Sequence, residues 1–393
     1  MIAPPQSAAP AAALSTGILA VAAFAIVSTE FLIVGLLPEL ARDLSIPVSA
    51  AGQLVTLFAF TVMLSGPLLT AALSHVERKR LFVAILLVFA AANALAAAAP
   101  NIWVLGLARL VPALALPVFW GTASEAAAQL AGPRHAGRAV ARVYLGISGA
   151  MLFGIPLGTL AAVSLGWRGS FWGLAALCLA LAGLMLAFMP ALPRPPRTSM
   201  RAQARILRDP RLQAHIALSV LVFTAMFASY TYLADVLERI AGVPPAQVGW
   251  WLMGFGAVGL AGNWLGGRAV DRGPLAATLV FTVLLGLGAL AAIALASSPA
   301  AMLPALAIWS IANTALYPVC QVRVMRAAPQ AQAMAGTLNV SAANAGIGAG
   351  ALLGGLAISQ WGLGSVGYAA AAVALPAALA VPLIARLRPR PAA

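Results

Sequence analysis

Twelve apolar stretches, most of about twenty residues, follow one another along the chain, and no water-soluble fold can bury so many. They run at 16–37, 50–72, 81–99, 102–127, 139–162, 170–190, 212–236, 247–267, 275–296, 300–321, 333–357 and 365–385. A helix needs about 20 apolar residues, at ~1.5 Å each, to cross the hydrocarbon of a bilayer. The stretches are too long, and too poor in period-two alternation, to be barrel strands. Only 8% of residues are charged and 62% are hydrophobic, against about 25% charged in soluble domains. A soluble enzyme, a disulfide scaffold and a disordered chain are therefore excluded. Cys178 and Cys320 fall within apolar stretches and form no spaced pair for metal or redox chemistry. Residues 1–15 carry no charged n-region, so the first stretch is expected to stay as a helix rather than be cleaved as a signal peptide. The expected fold is an all-α polytopic membrane protein with twelve transmembrane helices.

The basic residues orient these helices. There are 23 Lys and Arg against 9 Asp and Glu, a net charge of +14, which by itself could suggest nucleic acid. A nucleic-acid binder gathers its cations on one solvated face, whereas here they punctuate apolar stretches. Nineteen of the 23 fall in alternate connections: Arg78, Lys79 and Arg80; Arg134, Arg138 and Arg142; Arg194, Arg197, Arg201, Arg205, Arg208 and Arg211; Arg268 and Arg272; Arg323 and Arg326; Arg386, Arg388 and Arg390. Arg42, Arg168 and Arg239 fall on the other side, and Arg109 inside a stretch. Cytoplasmic loops carry the excess of Lys and Arg, so both termini are expected in the cytoplasm. The basic segment 193–211 separates an N-terminal tail (1–15) and six-helix half (16–192) from a second half (212–385) and a C-terminal tail (386–393). Two six-helix halves are the pattern of a transporter built from structural repeats.

Several local patterns are more specific. They are Thr29-Glu30-Phe31 with Gly35-Leu36-Leu37-Pro38-Glu39, and Val76 to Leu81 (VERKRL) in the connection after the second stretch. Arg109 is followed by Phe119-Trp120, and Gly154-Ile155-Pro156-Leu157-Gly158-Thr159 by Gly166-Trp167-Arg168. The second half has Tyr230-Thr231-Tyr232, Gly262-Asn263, Gly267 with Asp271-Arg272, and Asn344-Ala345-Gly346-Ile347-Gly348. In this order the chain resembles the major facilitator superfamily, its twelve-helix drug:proton antiporter group, and within it the bacterial sugar efflux transporters. It departs from them in three places. Thr70 and Ser74 stand where the first loop signature has Gly and Asp. Ile155 separates the Gly and Pro of the antiporter motif. Ala115-Leu116-Pro117 stands where similar sugar exporters have a His before Phe-Trp.

The resemblance implies that the first and fourth helices line a central cavity. Glu30 lies seven residues from the outer end of its stretch and Arg109 seven residues into its own, both about 10 Å deep at ~1.5 Å per residue. An intramembrane ionisable residue is a functional hypothesis by default. Glu30 is thus expected to carry the coupling proton, and Arg109 to modulate it or simply to pair with it. Glu125 is the second candidate, with a solvated boundary position as its alternative. Glu39, Asp43, Asp235 and Glu238 are expected at headgroup level or as gate contacts. His75, His135 and His215 fall in or beside loops without metal-ligand spacing.

Substrate contact is expected from Phe119 and Trp120, from Phe227, Tyr230 and Tyr232, and from Trp309, Asn313 and Tyr317, which share one face at i, i+4 and i+8. Asn344 completes the set; it and Asn339 point in different directions. Aromatic faces with an amide suit a sugar ring or a flat lipophilic drug. Gly154 and Gly158, Gly262 and Gly266, and Gly346, Gly350 and Gly354 recur at intervals of four, a spacing that lets helices approach closely. Pro156 permits a bend there. Gly154, Pro156, Gly158, Gly267, Asp271 and Arg272 form the expected gating and helix-packing set. The expectation is a multi-pass protein of a bacterial inner membrane, not an enzyme and without a bound cofactor. It would expel a small organic solute in exchange for protons, and a monomer would suffice. The alternative is a uniporter or importer of a small metabolite.

Overall fold

A computed structural model describes residues 8–73, 75–131, 136–192, 209–329 and 332–387, and among them there is no strand. The helices are α1 (Ala8–Asp43), α2 (Val48–Ala72), α3 (Arg78–Ala97), α4 (Ile102–Ala131), α5 (Ala136–Gly149), a π segment (Ala150–Gly154) and α6 (Ile155–Phe188). Then come α7 (Pro210–Tyr230), α8 (Leu233–Arg239), α9 (Pro245–Arg272), α10 (Pro274–Ala294), α11 (Pro299–Ala327), α12 (Gln332–Trp361) and α13 (Ser365–Ala385). Ser74, Arg134, His135, most of segment 193–211, and Arg388 with Arg390 lie outside the described residues.

Polar residues mark where the helices begin. Glu77 caps α3 by accepting from the Lys79 and Arg80 amides, and Asp209 caps α7 by accepting from the Arg211 amide. A carboxylate there satisfies amides with no intrahelical partner and faces the positive end of the helix dipole. Proline opens α7, α9, α10 and α11, where its missing N–H costs nothing.

Ten candidate spans among the described residues are long and apolar enough to cross a membrane. One of them, Leu145–Phe188, has 44 residues, about 66 Å at ~1.5 Å per residue, roughly twice the hydrocarbon thickness. Its backbone breaks at Gly166, with φ 68° and ψ 163°, a region that glycine reaches because it has no Cβ. The outward side chains of these helices are apolar: Trp103, Leu64, Leu165, Leu179, Leu379 and Leu383 are all exposed, as a lipid-facing surface requires.

Two expectations of regularity fail for local reasons. The stretch 212–236 is not one helix, because α7 stops at Tyr230 and α8 begins at Leu233. Thr231 turns its hydroxyl onto the Phe227 carbonyl at 2.7 Å, a back-bond that bends helices. The Tyr232 hydroxyl is tied to the Ala351 carbonyl of α12 at 2.7 Å. In the other half, Pro156 has no N–H to donate to the preceding turn. The chain accommodates it with the π turn 150–154, closed by the Ile155 amide on the Ala150 carbonyl. The basic connections are also shorter than expected, because Arg268, Arg272, Arg323 and Arg326 lie within α9 and α11.

By contacts the described chain divides into two units: residues up to Ile33 with those from Leu64 through α6, and Val34–Met63 with those from Asp209 onward. In the first unit α3 packs on α4 and α6. α1 runs close to the Gly-rich stretch of α5–α6, with Gly146 against the Ala20 carbonyl, Gly154 against Ser28 and Gly158 against Leu32. In the second unit α7 packs on α12 and α13, and α11 on α9 and α10. Gly346, Gly350 and Gly354 meet main-chain atoms of α7, while Gly262 and Gly266 meet those of α11 at Ile311 and Ala315. The small-residue spacing therefore does what it predicts: it brings backbones together. Gly267 is different, with open space where a Cβ would stand.

Candidate functional site

The first unit holds a polar cluster inside apolar helices. Arg109 of α4 is buried, and its guanidinium donates to the main-chain carbonyls of Thr29 and, at 2.6 Å, Glu30. Thr29 Oγ1 donates to the Ala25 carbonyl at 2.9 Å and accepts from Asn93 Nδ2 at 3.0 Å. Asn93 also donates to the Phe89 carbonyl at 2.9 Å. α1, α3 and α4 are thereby fastened together at one turn, the turn that carries Glu30. Glu30 itself is only partly buried. The equal depth expected for Glu30 and Arg109 thus corresponds to direct contact between the two residues, made through the Glu30 main chain. Charge-assisted bonds of this kind are worth about 1.5–3 kcal/mol each. Asn93 was not singled out from sequence; the signal available was a lone amide inside the third apolar stretch.

At the other end of α4, Glu125 keeps a solvent-accessible side chain and is also paired. It accepts from the buried Arg78 at 2.9 Å and from Gln129 at 3.2 Å. The second unit has a counterpart with the signs exchanged: Asp271, ending α9, accepts from Arg326 of α11 at 3.0 Å. Arg326 also donates to the Val270 carbonyl at 3.0 Å. Arg272 is exposed.

Three of the expected substrate residues of the second unit, Phe227, Tyr230 and Trp309, are linked through Phe255. Phe227 meets Tyr230 edge-on with ring centres 5.5 Å apart, and Tyr230 stacks on Phe255 at 5.7 Å. Phe255 meets Trp309 at 5.5 Å, and Phe223 meets Tyr317 at 5.2 Å. Phe227, Tyr230, Trp309 and Asn313 are buried, with Trp309 Nε1, Asn313 Oδ1 and Asn344 Oδ1 lacking hydrogen-bond partners. Asn344 Nδ2 returns to the Val340 carbonyl at 3.1 Å. Asn339 points elsewhere, to Ser219 and Gln321. Tyr232 is buried with its hydroxyl engaged by α12. In the first unit Phe119 is buried against Phe82 and Trp120, at 5.8 and 5.3 Å.

In the second unit Arg42 pairs with Glu238, a contact between the last turn of α1 and α8. Asp235 is buried, 1% exposed, with Arg239 3.7 Å away. A shallow cleft lined by Pro38, Arg42, Asp235, Glu238 and Arg239 opens beside the pair. His215, expected beside a loop, is buried in α7. Among the described residues no group of His, Cys, Asp and Glu could hold a metal.

Known proteins that resemble this chain are membrane transporters. The sequence is 34% identical over 353 residues to the inner membrane transport protein YdhP of Escherichia coli K12, covering 88% of this chain and 89% of that one. It is 35% identical over 343 residues to a chloramphenicol resistance protein of Streptomyces lividans (86% and 87% covered). A probable sugar efflux transporter of Helicobacter pylori G27 is 28% identical over 358 residues (91% and 92% covered). The family profile described as Major Facilitator Superfamily matches residues 19–240 and 215–393. The chain is therefore a multi-pass membrane transporter for small molecules and belongs to the major facilitator superfamily.

Proposed function

We propose that the protein expels a small organic solute, sugar or drug-like, from a bacterial cell in exchange for protons. It works by alternating access in the inner membrane. The break at Gly166 counts Leu145–Phe188 as two spans and α9 supplies one more, giving twelve. Residues 16–192 and 212–385 are then two six-helix repeats, with both termini and segment 193–211 on the cytoplasmic side, where the Arg and Lys cluster.

The observation that carries this reading is the clamp of Arg109 on the turn of α1 that bears Glu30. It holds the turn that bears a carboxylic acid, at mid-helix where charge is expensive, against a permanent cation. Glu30 has two charge states that differ in hydration and in attraction to Arg109. A solute bound nearby alters that balance and so links its own passage to a proton's. The names of the relatives, one a chloramphenicol resistance protein and another a probable sugar efflux transporter, support export and the solute class. Trp309, Asn313 and Asn344 are assigned to solute contact because their polar atoms are buried without partners, with Phe119, Trp120, Phe227, Tyr230, Tyr232 and Tyr317 as the surrounding aromatic wall. Gly154, Pro156, Gly158, Gly267, Asp271 and Arg272 are assigned to helix packing and gating. The driving force is the proton gradient, no bound cofactor takes part, and a monomer suffices.

Reconstitution into liposomes with an imposed pH gradient tests this. Labelled arabinose and a cationic dye, assayed in parallel, separate sugar from drug. Wild type is expected to accumulate one of them only when the gradient is present, and Glu30→Gln to lose that dependence. Gradient-driven transport by Glu30→Gln at the wild-type rate would refute the coupling role.

A further inference from the structure

Arg323 lies in the last turns of α11, 1% exposed. One of its nitrogens, Nη2, donates to the His215 carbonyl at 3.1 Å and to Ser219 Oγ at 2.7 Å. Ser219 passes its own proton to Asn339 Oδ1 at 2.7 Å, and Asn339 Nδ2 donates to Gln321 Oε1 at 2.7 Å. Gln321 Nε2 donates in turn towards Met325 Sδ at 3.8 Å. Every donor in this relay points away from the guanidinium, so the relay delocalises the positive charge and returns no negative one.

The remaining donors are unanswered. Nε and Nη1 of Arg323 have no hydrogen-bond partner, which leaves three of the five guanidinium N–H bonds without an acceptor. His215 Nδ1, on the facing helix, is buried and unpartnered too. All nine acidic residues of the sequence are among the described residues, and none of them forms an ion pair with Arg323. Among the described residues the other two buried arginines each stand beside an acid: Arg78 pairs with Glu125, and Arg109 is bonded to the Glu30 turn. The nearest charges on the helix facing Arg323 are Arg211 and Asp209. Arg211 adds positive charge, and Asp209 already accepts from the Arg211 amide. A buried cation without a counter-charge is strongly disfavoured.

We infer that Arg323 is the core of an anion-binding site within the second unit, with its free N–H groups and His215 as the donors. Leu212, Val324, Ala327 and Ala335 form a buried apolar cluster around this end of α7, α11 and α12. The occupant is therefore small: a halide, or the carboxylate or phosphate group of a compact solute. The site is independent of the proton coupling assigned to Glu30.

Thermal unfolding of the purified protein tests the inference without any transport assay. Sodium chloride, acetate and phosphate are titrated at constant ionic strength against gluconate, an anion too bulky for the site. Wild type is expected to gain about 2–4 °C, saturably, with at least one of the small anions. Chloride alone acting identifies a halide site, and acetate or phosphate acting identifies an oxyanion site. Arg323→Gln is expected to abolish the response, and Arg323→Lys to shift it to at least tenfold higher concentration. If Arg323→Gln does not accumulate, the lysine variant decides. Indifference of wild type to all three anions overturns the inference, as does an undiminished response in the Arg323 variants. Either result leaves the efflux reading standing, because that reading is tested on Glu30 in liposomes.

Discussion

Gly350 offers a sharp test of the helix packing that holds the second unit together. A Cβ added there would stand 2.6 Å from the Thr224 carbonyl oxygen, 2.8 Å from the Ala228 nitrogen and 2.9 Å from the Phe227 carbonyl carbon. All three are main-chain atoms of α7, so no side-chain rotation relieves the overlap. Overpacking by a single carbon costs about 1–3 kcal/mol. Replacing Gly by Ala in a helix otherwise gains up to about 1 kcal/mol, which blurs the raw result. Gly254→Ala in α9 isolates the helix preference, because open space surrounds its Cβ position. The difference between Gly350→Ala and Gly254→Ala is then the packing cost alone. At ~2 °C per kcal/mol, the low end suited to a long chain, Gly350→Ala should melt roughly 2–6 °C below Gly254→Ala in detergent. Equal melting temperatures for the two variants would refute the close approach of α7 and α12.

Two further perturbations follow from the polar contacts. Arg109→Lys keeps the charge but replaces a planar fork by a single ammonium, so one of the two carbonyl bonds at Thr29 and Glu30 is lost. Thermal unfolding should register about 1.5–3 kcal/mol of destabilisation, and gradient-driven transport should fall with it; unchanged stability would contradict the clamp. Glu125→Gln should cost more than Asp271→Asn when both are compared by thermal unfolding. The first removes the carboxylate that meets the buried Arg78 at 2.9 Å, whereas Asp271 and Arg326 are largely exposed, and exposed pairs contribute only about 0–1 kcal/mol. Raising the salt concentration should erase the smaller effect and leave the larger.

The apolar stretches were legible because hydrocarbon imposes a length on any helix that crosses it. The glycine spacing was legible for a similar reason: at intervals of four, residues share a helix face whatever the partner. What lay hidden were contacts made to main chain. Arg109 grips the carbonyls of residues 29 and 30, and since every residue has a carbonyl, nothing in the sequence marks these two. Arg323 was hidden because α11 continues to Ala327, six residues beyond the apolar stretch that ends at 321, and so carries into a helix an arginine that the hydropathy pattern assigns to a loop.

The π turn at 150–154 bears on how this chain tolerates change in length. Deleting one residue from an ordinary helix rotates everything downstream by about 100°, turning lipid-facing side chains inward and packed ones outward. A π turn is an α-helix already holding one extra residue. Shortening it by one restores regular winding and leaves the faces on either side in phase. The stretch next to Pro156 is thus a place where α5 and α6 can lose a residue while Gly146, Gly154 or Gly158 still meet the same partners on α1, provided the proline is replaced along with the deletion.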